Sequence, residues 1–252
     1  MLCVLLAAAA VTLFITPIPQ SQAYHDFADH RTILRIPNFC DVMSNVFFLL
    51  VGTMGIAFVL REATNTERVF ADPRERWPYL VFFASVALTA FGSAYYHLQP
   101  DDYRLVWDRI PITSSVVSVL AAIVAERVSV KAGLRLLTPL LLLGAGSVIY
   151  WSMTQTRGHG DLRSYGLVQF GSMLALLLLL ALFPPRYTRG ADFLISLGLY
   201  ALAKIFETAD RLIFSIGGIV SGHTLKHIFA AASAYWILRM LKLRAPVTSP
   251  GA

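Results

Sequence analysis

The stretch Gly222-His223-Thr224-Leu225-Lys226-His227, followed by an apolar run from Ile228 to Leu241, is the part of the sequence that decides the fold. The run is long enough to cross a bilayer as a helix. Two histidines four residues apart on a helix lie on one face, about 6 Å apart along the axis, and could share one metal ion. Polar groups in such a segment are costly unless they face a cavity, a partner or a metal. The pattern leaves two interpretations open, a metal site and a pair of interfacial histidines.

The composition is typical of an integral membrane protein. Of the 252 residues, 56% are hydrophobic and 14% are charged, and the charged residues cluster between apolar runs. The formal charge of +6 requires no nucleic-acid partner, because Lys and Arg concentrate on one side of membrane proteins. The two cysteines, Cys3 and Cys40, form neither a disulfide framework nor a CxxC metal pair.

The N-terminal residues 1–23 have two interpretations. Leu2 to Thr16 is apolar but short for a membrane span, and Ser21-Gln22-Ala23 resembles a small-residue cleavage site. A signal peptide has a Lys or Arg before its apolar run, and none is present here. A signal peptide and an uncleaved short helix are therefore alternatives, with one membrane domain over residues 24–245 and a tail over 246–252.

Seven apolar segments predict the fold class, an all-α membrane protein built as a seven-transmembrane helix bundle. Each is near the ~20 residues that a ~30 Å hydrocarbon core needs. Backbone polar groups in lipid must be satisfied within the segment, so the segments are predicted to be helices. They are Val42 to Leu60, Tyr79 to His97, Trp107 to Val124, Leu134 to Met153, Tyr165 to Phe183, Ala191 to Phe206, and Gly222 to Leu241.

The distribution of basic residues predicts the orientation. Lys and Arg are more numerous in the loops after segments 1, 3 and 5 and in the C-terminal tail than in the loops on the other side. By the positive-inside rule, the C-terminus lies in the cytoplasm and the N-terminal loop outside. His97, Asp108 and the pair His223 and His227 then fall at the same outer depth of the membrane.

Three of these residues have the chemistry of a metal centre. A catalytic zinc typically takes three protein ligands and keeps a fourth position for water, and His97, His223 and His227 supply three imidazoles. The alternative for each histidine is an interfacial position.

Two further residues could complete a hydrolytic site. Asp108 is placed to accept a proton from water and pass it to a leaving group. Ser93, four residues before His97, lies on the same helical face and could donate a hydrogen bond to a developing oxyanion. The plain alternatives are that Asp108 pairs with Arg109 or caps its helix, and that Ser93 is a small residue at a helix contact.

Four motifs in order resemble those of the alkaline ceramidase family. They are Asn38-Phe39-Cys40-Asp41-Val42-Met43-Ser44-Asn45, Ser93-x-x-x-His97, Trp107-Asp108-Arg109 and His223-x-x-x-His227. The family belongs to a superfamily of seven-helix membrane hydrolases that includes the adiponectin-type receptors, and the resemblance covers the chain from about Tyr24 to Leu241. It implies a zinc ion held by the three histidines, with Asp108 as acid and base and Ser93 supporting the oxyanion. The implied reaction is hydrolysis of the amide of a ceramide-like lipid to a sphingoid base and a fatty acid.

The polar loop from Tyr24 to Asp41 carries several oxygen groups that suit a hard cation such as Ca²⁺. Eukaryotic alkaline ceramidases have an acidic N-terminal calcium loop, and Asp26-Phe27-Ala28-Asp29-His30-Arg31 resembles its beginning. The resemblance implies Asp26, Asp29 and Asn38 as calcium ligands. The chain departs from the family at Arg31, which stands near a ligand position, and at Asn38, where the family has a Glu. The alternative is a solvated loop without an ion.

Two other functions fit a seven-helix protein. Lys226 in the last segment and Asp108 at the start of the third suggest a retinal protein, but Lys226 is about 300° round the helix from His223 and near the membrane edge. A receptor-like protein with a structural zinc is the second rival. Asp108 and Ser93 favour an enzyme, because structural zinc sites are usually closed by four protein ligands.

The remaining polar and small residues receive structural interpretations. Glu207 and Arg211 have the spacing of a helical ion pair, and His159 is interpreted as a loop residue. The oligomeric state stays open, because small residues permit close helix approach without naming a partner. These small residues are Gly52, Gly55, Gly144 and Gly146.

Overall fold

The computed structural model describes residues 10, 12, 14–62 and 69–247. Within these ranges the chain is helical, and its strand-like features are isolated bridges. Residues 1–9, 11 and 13 of the segment for which a signal peptide or a short helix is predicted lie outside the described residues, as does most of the tail.

The α-helices follow one another with short connections. They are α1 (Phe39–Met43), α2 (Val46–Arg61), α3 (Arg76–Leu98), α4 (Asp102–Arg127), α5 (Val130–Thr156), α6 (Arg163–Leu182), α7 (Asp192–Thr208), α8 (Asp210–Gly217) and α9 (Gly222–Leu243).

Several of these helices are long and apolar enough to cross a membrane. In the described part of the chain five helical stretches meet this condition, and the pair α8 and α9, bent by 113°, makes a sixth if it counts as one span. The stretches are Phe39–Arg61, Pro73–Leu98, Asp102–Arg127, Val130–Thr156 and Arg163–Leu182. The prediction of an all-helical, multi-pass membrane protein is confirmed at this level, whereas the count of seven spans stays a prediction.

Capping side chains explain where two of the helices begin. α4 starts before the predicted Trp107, because the Asp101 carboxylate accepts a hydrogen bond from the Arg104 backbone N–H at 2.7 Å. α9 starts at Gly222 as predicted, and the Ser221 hydroxyl accepts from the Thr224 N–H at 2.9 Å. Asp108 therefore lies inside α4, and the alternative that it caps this helix is wrong.

The chain turns between α7 and α8, and this turn changes one predicted contact. α7 ends at Thr208 and α8 begins at Asp210, so Glu207 and Arg211 do not share one continuous helix. Arg211 instead pairs with Asp26 at 2.5 Å. The predicted helical ion pair between Glu207 and Arg211 is therefore wrong.

The most extensive helix pairings are α3 with α4, α4 with α5, α7 with α9, and α2 with α3. Buried apolar side chains of α2, α3, α4, α6 and α9 fill the centre of the bundle. Gly52 and Gly55 of α2 face Ala87 and Phe83 of α3 at distances that a Cβ atom would violate. These two glycines therefore serve packing within the chain.

A buried ion pair closes the end of the bundle away from the histidines. Arg244, just beyond α9, pairs with Glu126 of α4 and donates to the Val69 carbonyl oxygen at 3.1 Å. The Tyr79 hydroxyl donates to the same carboxylate at 2.7 Å. A buried charge pair of this kind ties the C-terminal residues to α3 and α4.

Gly92 sets the distance between α3 and α4 next to Ser93 and Asp108. A Cβ atom at Gly92 would lie 2.1 Å from the Trp107 carbonyl oxygen, whereas one at Gly146 would meet nothing within 4 Å. We expect Gly92→Ala to lower the free energy of unfolding by about 1–3 kcal/mol, because overpacking forces the two backbones apart. Thermal unfolding in detergent measures this effect, with Gly146→Ala as the matched control. Equal unfolding midpoints for the two variants would contradict the assigned close approach.

Candidate metal centre and cavity

Three buried histidines meet at one end of the bundle, as the sequence predicts. His97 lies near the C-terminal end of α3, and His223 and His227 lie in the first turns of α9. One ring nitrogen from each lies within 4.8 Å of the other two, and the Nε2 atoms of His97 and His223 are 3.3 Å apart. This group could hold a metal ion.

The hydrogen bonds around His227 fit a metal ligand. Its Nδ1 lies 2.7 Å from the Ser44 hydroxyl oxygen, and that hydroxyl donates to the Asp41 carbonyl oxygen at 3.1 Å. Because the Ser44 proton is directed to Asp41, we assign the Nδ1–H of His227 as the donor to Ser44. The buried Nε2 of His227 has no hydrogen-bond partner in the described chain. A free imidazole nitrogen oriented by its second nitrogen is the usual arrangement of a histidine that binds zinc.

Asp41 connects α1 to the start of α9. Its Oδ1 accepts hydrogen bonds from the Thr224 hydroxyl at 2.6 Å and from the Ser221 hydroxyl at 3.2 Å. Ser44 thus orients the ring of His227, and Asp41 fixes the start of the helix that carries this histidine. Sequence reasoning assigned no role to these two residues, although both lie in the motif from Asn38 to Asn45 that carries the family resemblance.

The N-terminal segment covers the histidines. The Phe27 ring lies 4.7 Å from the His97 ring and 4.4 Å from the His223 ring, measured between centroids. The next backbone N–H, that of Ala28, donates to Asp210 at 2.8 Å, and Asp210 also accepts from the His223 N–H at 2.8 Å. Asp210 therefore fastens this cover to the first turn of α9.

A large cavity lies beside the histidines. Its empty volume is about 1190 Å³, including the part that opens to the surface, and its wall contains Ser93, Asp108 and His227 together with many apolar side chains. The Oδ1 atom of Asp108 is buried and has no hydrogen-bond partner among the described residues. Asp108, Ser93 and His227 thus line the same cavity.

Arg109 does not pair with Asp108, which removes the second plain interpretation of that carboxylate. Its Nη2 donates to the Gln20 side-chain oxygen at 2.5 Å. Its guanidinium carbon lies 4.2 Å from the Trp151 ring centroid and 4.7 Å from the Tyr165 centroid. The Asp108 carboxylate is therefore available to a molecule in the cavity.

The cavity continues sideways into a groove between α6 and the end of α7, which N-terminal residues from Thr12 to Tyr24 also line. The two share the side chains of Tyr24, Arg109, Tyr165, Gln169, Lys204 and Glu207. α6 and α7 make no extensive contact with each other. The groove is therefore bounded by α6, the end of α7 and the N-terminal segment, which Arg163 of α6 binds through the Ile15 carbonyl oxygen.

Lys226, Lys204 and Glu207 form an ionic cluster in the cavity wall that sequence reasoning missed. Lys226 Nζ lies 2.7 Å from Glu207 Oε1 and 3.4 Å from His223 Nε2. An angle of 300° on a helix is only 60° in the other direction, so Lys226 lies beside His223. The spacing His223-x-x-Lys226 was the signal that could have shown this.

The structure does not bring the predicted calcium ligands together. Asp26 pairs with Arg211 and His30, Asp29 pairs with Arg31, and the Asn38 side-chain amide donates to the His97 carbonyl oxygen at 2.8 Å. The only group of three or more candidate metal-binding side chains within the described ranges is that of the histidines.

The Arg31 guanidinium takes the place expected for a cation in this loop. It binds both carboxylate oxygens of Asp29, at 2.7 and 2.6 Å, and donates to the Ile219 carbonyl oxygen at 2.7 Å. Burial acts to raise the pKa of Asp29, but its hydrogen bonds with Arg31 outweigh burial and hold that pKa below its usual value. The guanidinium thereby joins the loop to the turn just before α9.

Comparison with known proteins does not identify a family. A scan against protein-family models finds no match, and a search of the curated proteins finds none. The geometry of the site and the order of its motifs are therefore what support a function.

The histidine cluster predicts a metal content that depends on two helices. We expect purified protein to carry about one divalent ion per chain, and His97→Ala and His223→Ala each to lose it, because two imidazoles bind zinc far more weakly than three. Elemental analysis of detergent-purified protein measures this content. His159→Ala is the matched control, since His159 is exposed and bonds only its own loop. A folded wild-type protein without metal after metal-supplemented purification would contradict the assignment.

Arg31 predicts that the N-terminal loop is independent of calcium. We expect millimolar Ca²⁺ and a calcium chelator to leave the thermal midpoint of the wild type unchanged, and Arg31→Ala to lower that midpoint, because Asp29 then loses its guanidinium partner. Arg74→Ala is the control, since it removes a similar but exposed contact with Asp72. A wild-type midpoint that rises with Ca²⁺ would show that the loop does bind the ion.

Proposed function

We propose that this protein is an intramembrane zinc-dependent hydrolase that cleaves the amide bond of ceramide-like lipids to a sphingoid base and a fatty acid. The observation that carries the proposal is the convergence of three imidazoles, one of which, His227, lines the same cavity as Asp108, a buried carboxylate with an unpaired oxygen. The ordered resemblance to the alkaline ceramidase motifs supports the same reaction.

The residues of the chain have distinct roles in this reaction. His97, His223 and His227 would hold the zinc ion, which supplies Lewis-acid polarisation of the amide carbonyl and activation of water. Asp108 accepts a proton from the attacking water and delivers it to the leaving amine nitrogen. Ser93 donates a hydrogen bond to the oxygen on which negative charge develops.

The surroundings of the site favour a lipid substrate. The cavity wall is mainly apolar, and the cavity joins the groove between α6 and α7. A lipid could enter from the bilayer with its amide directed toward the histidines. Phe27 on the other side keeps bulk water away from the same rings.

The proposed topology has seven spans, formed by α2 to α7 and α9, with the N-terminus outside and the C-terminus in the cytoplasm. α7 has 17 residues, somewhat fewer than the ~20 that a typical span uses. It packs extensively on α9. In this proposed topology the active site lies toward the extracytoplasmic side.

The two rival functions are less well supported. A receptor-like protein with a structural zinc does not require an unpaired carboxylate beside the histidines. A retinal protein requires a lysine free to form a Schiff base, whereas Lys226 is held by Glu207 in an ion pair.

Asp108→Asn separates the enzyme from the receptor-like protein. We expect this variant to retain its metal and to lose at least about 100-fold in turnover, because an amide side chain cannot exchange the proton. Release of fatty acid from a lipid amide in mixed micelles measures turnover, and elemental analysis measures the metal. Asp102→Asn is the matched control, since Asp102 lies on the same helix and contacts His25 and Gln22. Unchanged turnover in Asp108→Asn would remove Asp108 from the mechanism.

A further inference from the structure

The cavity contains a cationic cluster that the proposed hydrolysis does not use. Glu207 stands between two lysines, with Lys204 Nζ at 2.6 Å from its Oε2 and Lys226 Nζ at 2.7 Å from its Oε1. The Tyr24 hydroxyl donates to Oε1 at 3.2 Å. All four side chains line the cavity, and Lys204 and Glu207 also line the groove between α6 and α7.

The charges in this wall do not balance. Apart from His227 and the tyrosines, the wall contains three cationic residues and two acidic ones. The cations are Arg109, Lys204 and Lys226, and the acids are Asp108 and Glu207. An unbalanced charge within the membrane is costly, and an anion from a ligand would offset it. A zinc ion on neutral histidines would add further positive charge.

The cationic groups also have N–H donors to spare. An ammonium has three donors and a guanidinium has five. Glu207 takes one donor from each lysine, and the Nη1 of Arg109 is buried without a partner in the described chain. The other contact of Lys226 is the His223 Nε2, at 3.4 Å. If His223 binds a metal through Nε2, this contact is lost and Lys226 gains a free donor.

We propose that Lys204, Lys226 and Arg109 bind a carboxylate on the head group of the substrate. The preferred substrate is then a lipid amide of the N-acyl amino acid type, in which the anion lies a few bonds from the amide. This inference rests on the proposed hydrolase function: it keeps the amide hydrolysis that releases a fatty acid and makes an amino acid, in place of a sphingoid base, the preferred leaving amine. The carboxylate would contact the lysines while the amide lies toward His227, the histidine that lines the cavity.

Two other uses of the cluster make different predictions. The ion pairs could be a structural brace between α7 and α9, in which case the charge of the ligand has no effect. The cluster could instead retain the fatty-acid product, in which case a free fatty acid binds well but a head-group carboxylate gives no advantage in hydrolysis.

The test compares N-palmitoylglycine with N-palmitoylethanolamine, which share the acyl chain and differ in the head-group anion. We expect the metal-loaded wild type to cleave the glycine amide with a kcat/KM at least about tenfold higher, mainly through a lower KM. In Lys204→Gln this ratio should fall toward one. Lys242→Gln, at an exposed position far from the cavity, is the matched control and should keep the wild-type ratio.

A binding measurement keeps the inference separate from the hydrolase proposal. Metal-free wild type and Lys204→Gln are titrated with N-palmitoylglycine, N-palmitoylethanolamine and palmitate, with the thermal midpoint as the readout. Stronger stabilisation by the glycine amide than by the ethanolamide, reduced in Lys204→Gln, supports the carboxylate site even if neither amide is cleaved, which would overturn only the hydrolase. Equal stabilisation by the two amides, or a preference for palmitate alone, overturns the proposed head-group site.

Discussion

The hydrogen bonds that join α1 to the first turns of α9 are the contacts on which the site depends. Asp41 binds Ser221 and Thr224, and Ser44 binds the ring of His227. Inside a membrane protein these polar groups have no water to replace a lost partner, so the hydrogen bonds they make within the chain are costly to break. The need to satisfy them fixes the rotation of α9 and directs its histidines toward α3.

Charge is distributed unevenly between the two ends of the bundle. At the end beyond α9, Arg244 and Glu126 form a buried ion pair with the Tyr79 hydroxyl beside it, and Nη2 of Arg244 has no hydrogen-bond partner in the described chain. At the histidine end, an oxygen of Asp108 is unpaired in a cavity that a lipid could enter. Unsatisfied buried polar groups reduce stability, and a molecule bound in the cavity would complete the interactions of the Asp108 oxygen.

The N-terminal segment shows how arginine can do the structural work of a metal ion. Arg31 and Arg211 pair with the acidic side chains for which calcium is predicted, and Phe27 is held over the histidines in between. A planar guanidinium binds a carboxylate with two parallel hydrogen bonds. The cover is thereby fixed by groups that the sequence itself encodes.

Local patterns in the sequence were sufficient for the helical membrane class and for the pair His223 and His227, because apolar length and the spacing His223-x-x-x-His227 are properties of a single helix. The approach of His97 to this pair is a contact between α3 and α9, which the sequence predicted only through membrane depth and the family resemblance. The pairing of Asp29 with Arg31 and the approach of Lys226 to His223 depended on the tertiary structure. The unpaired Oδ1 atom of Asp108 also depended on the tertiary structure. Arg109, the neighbour expected to pair with it, instead contacts Gln20 and Trp151, which come from distant parts of the chain. Sequence spacing describes neighbours along a helix, whereas the partner of a buried charge is decided by which helices pack together and by the cost of leaving that charge without one.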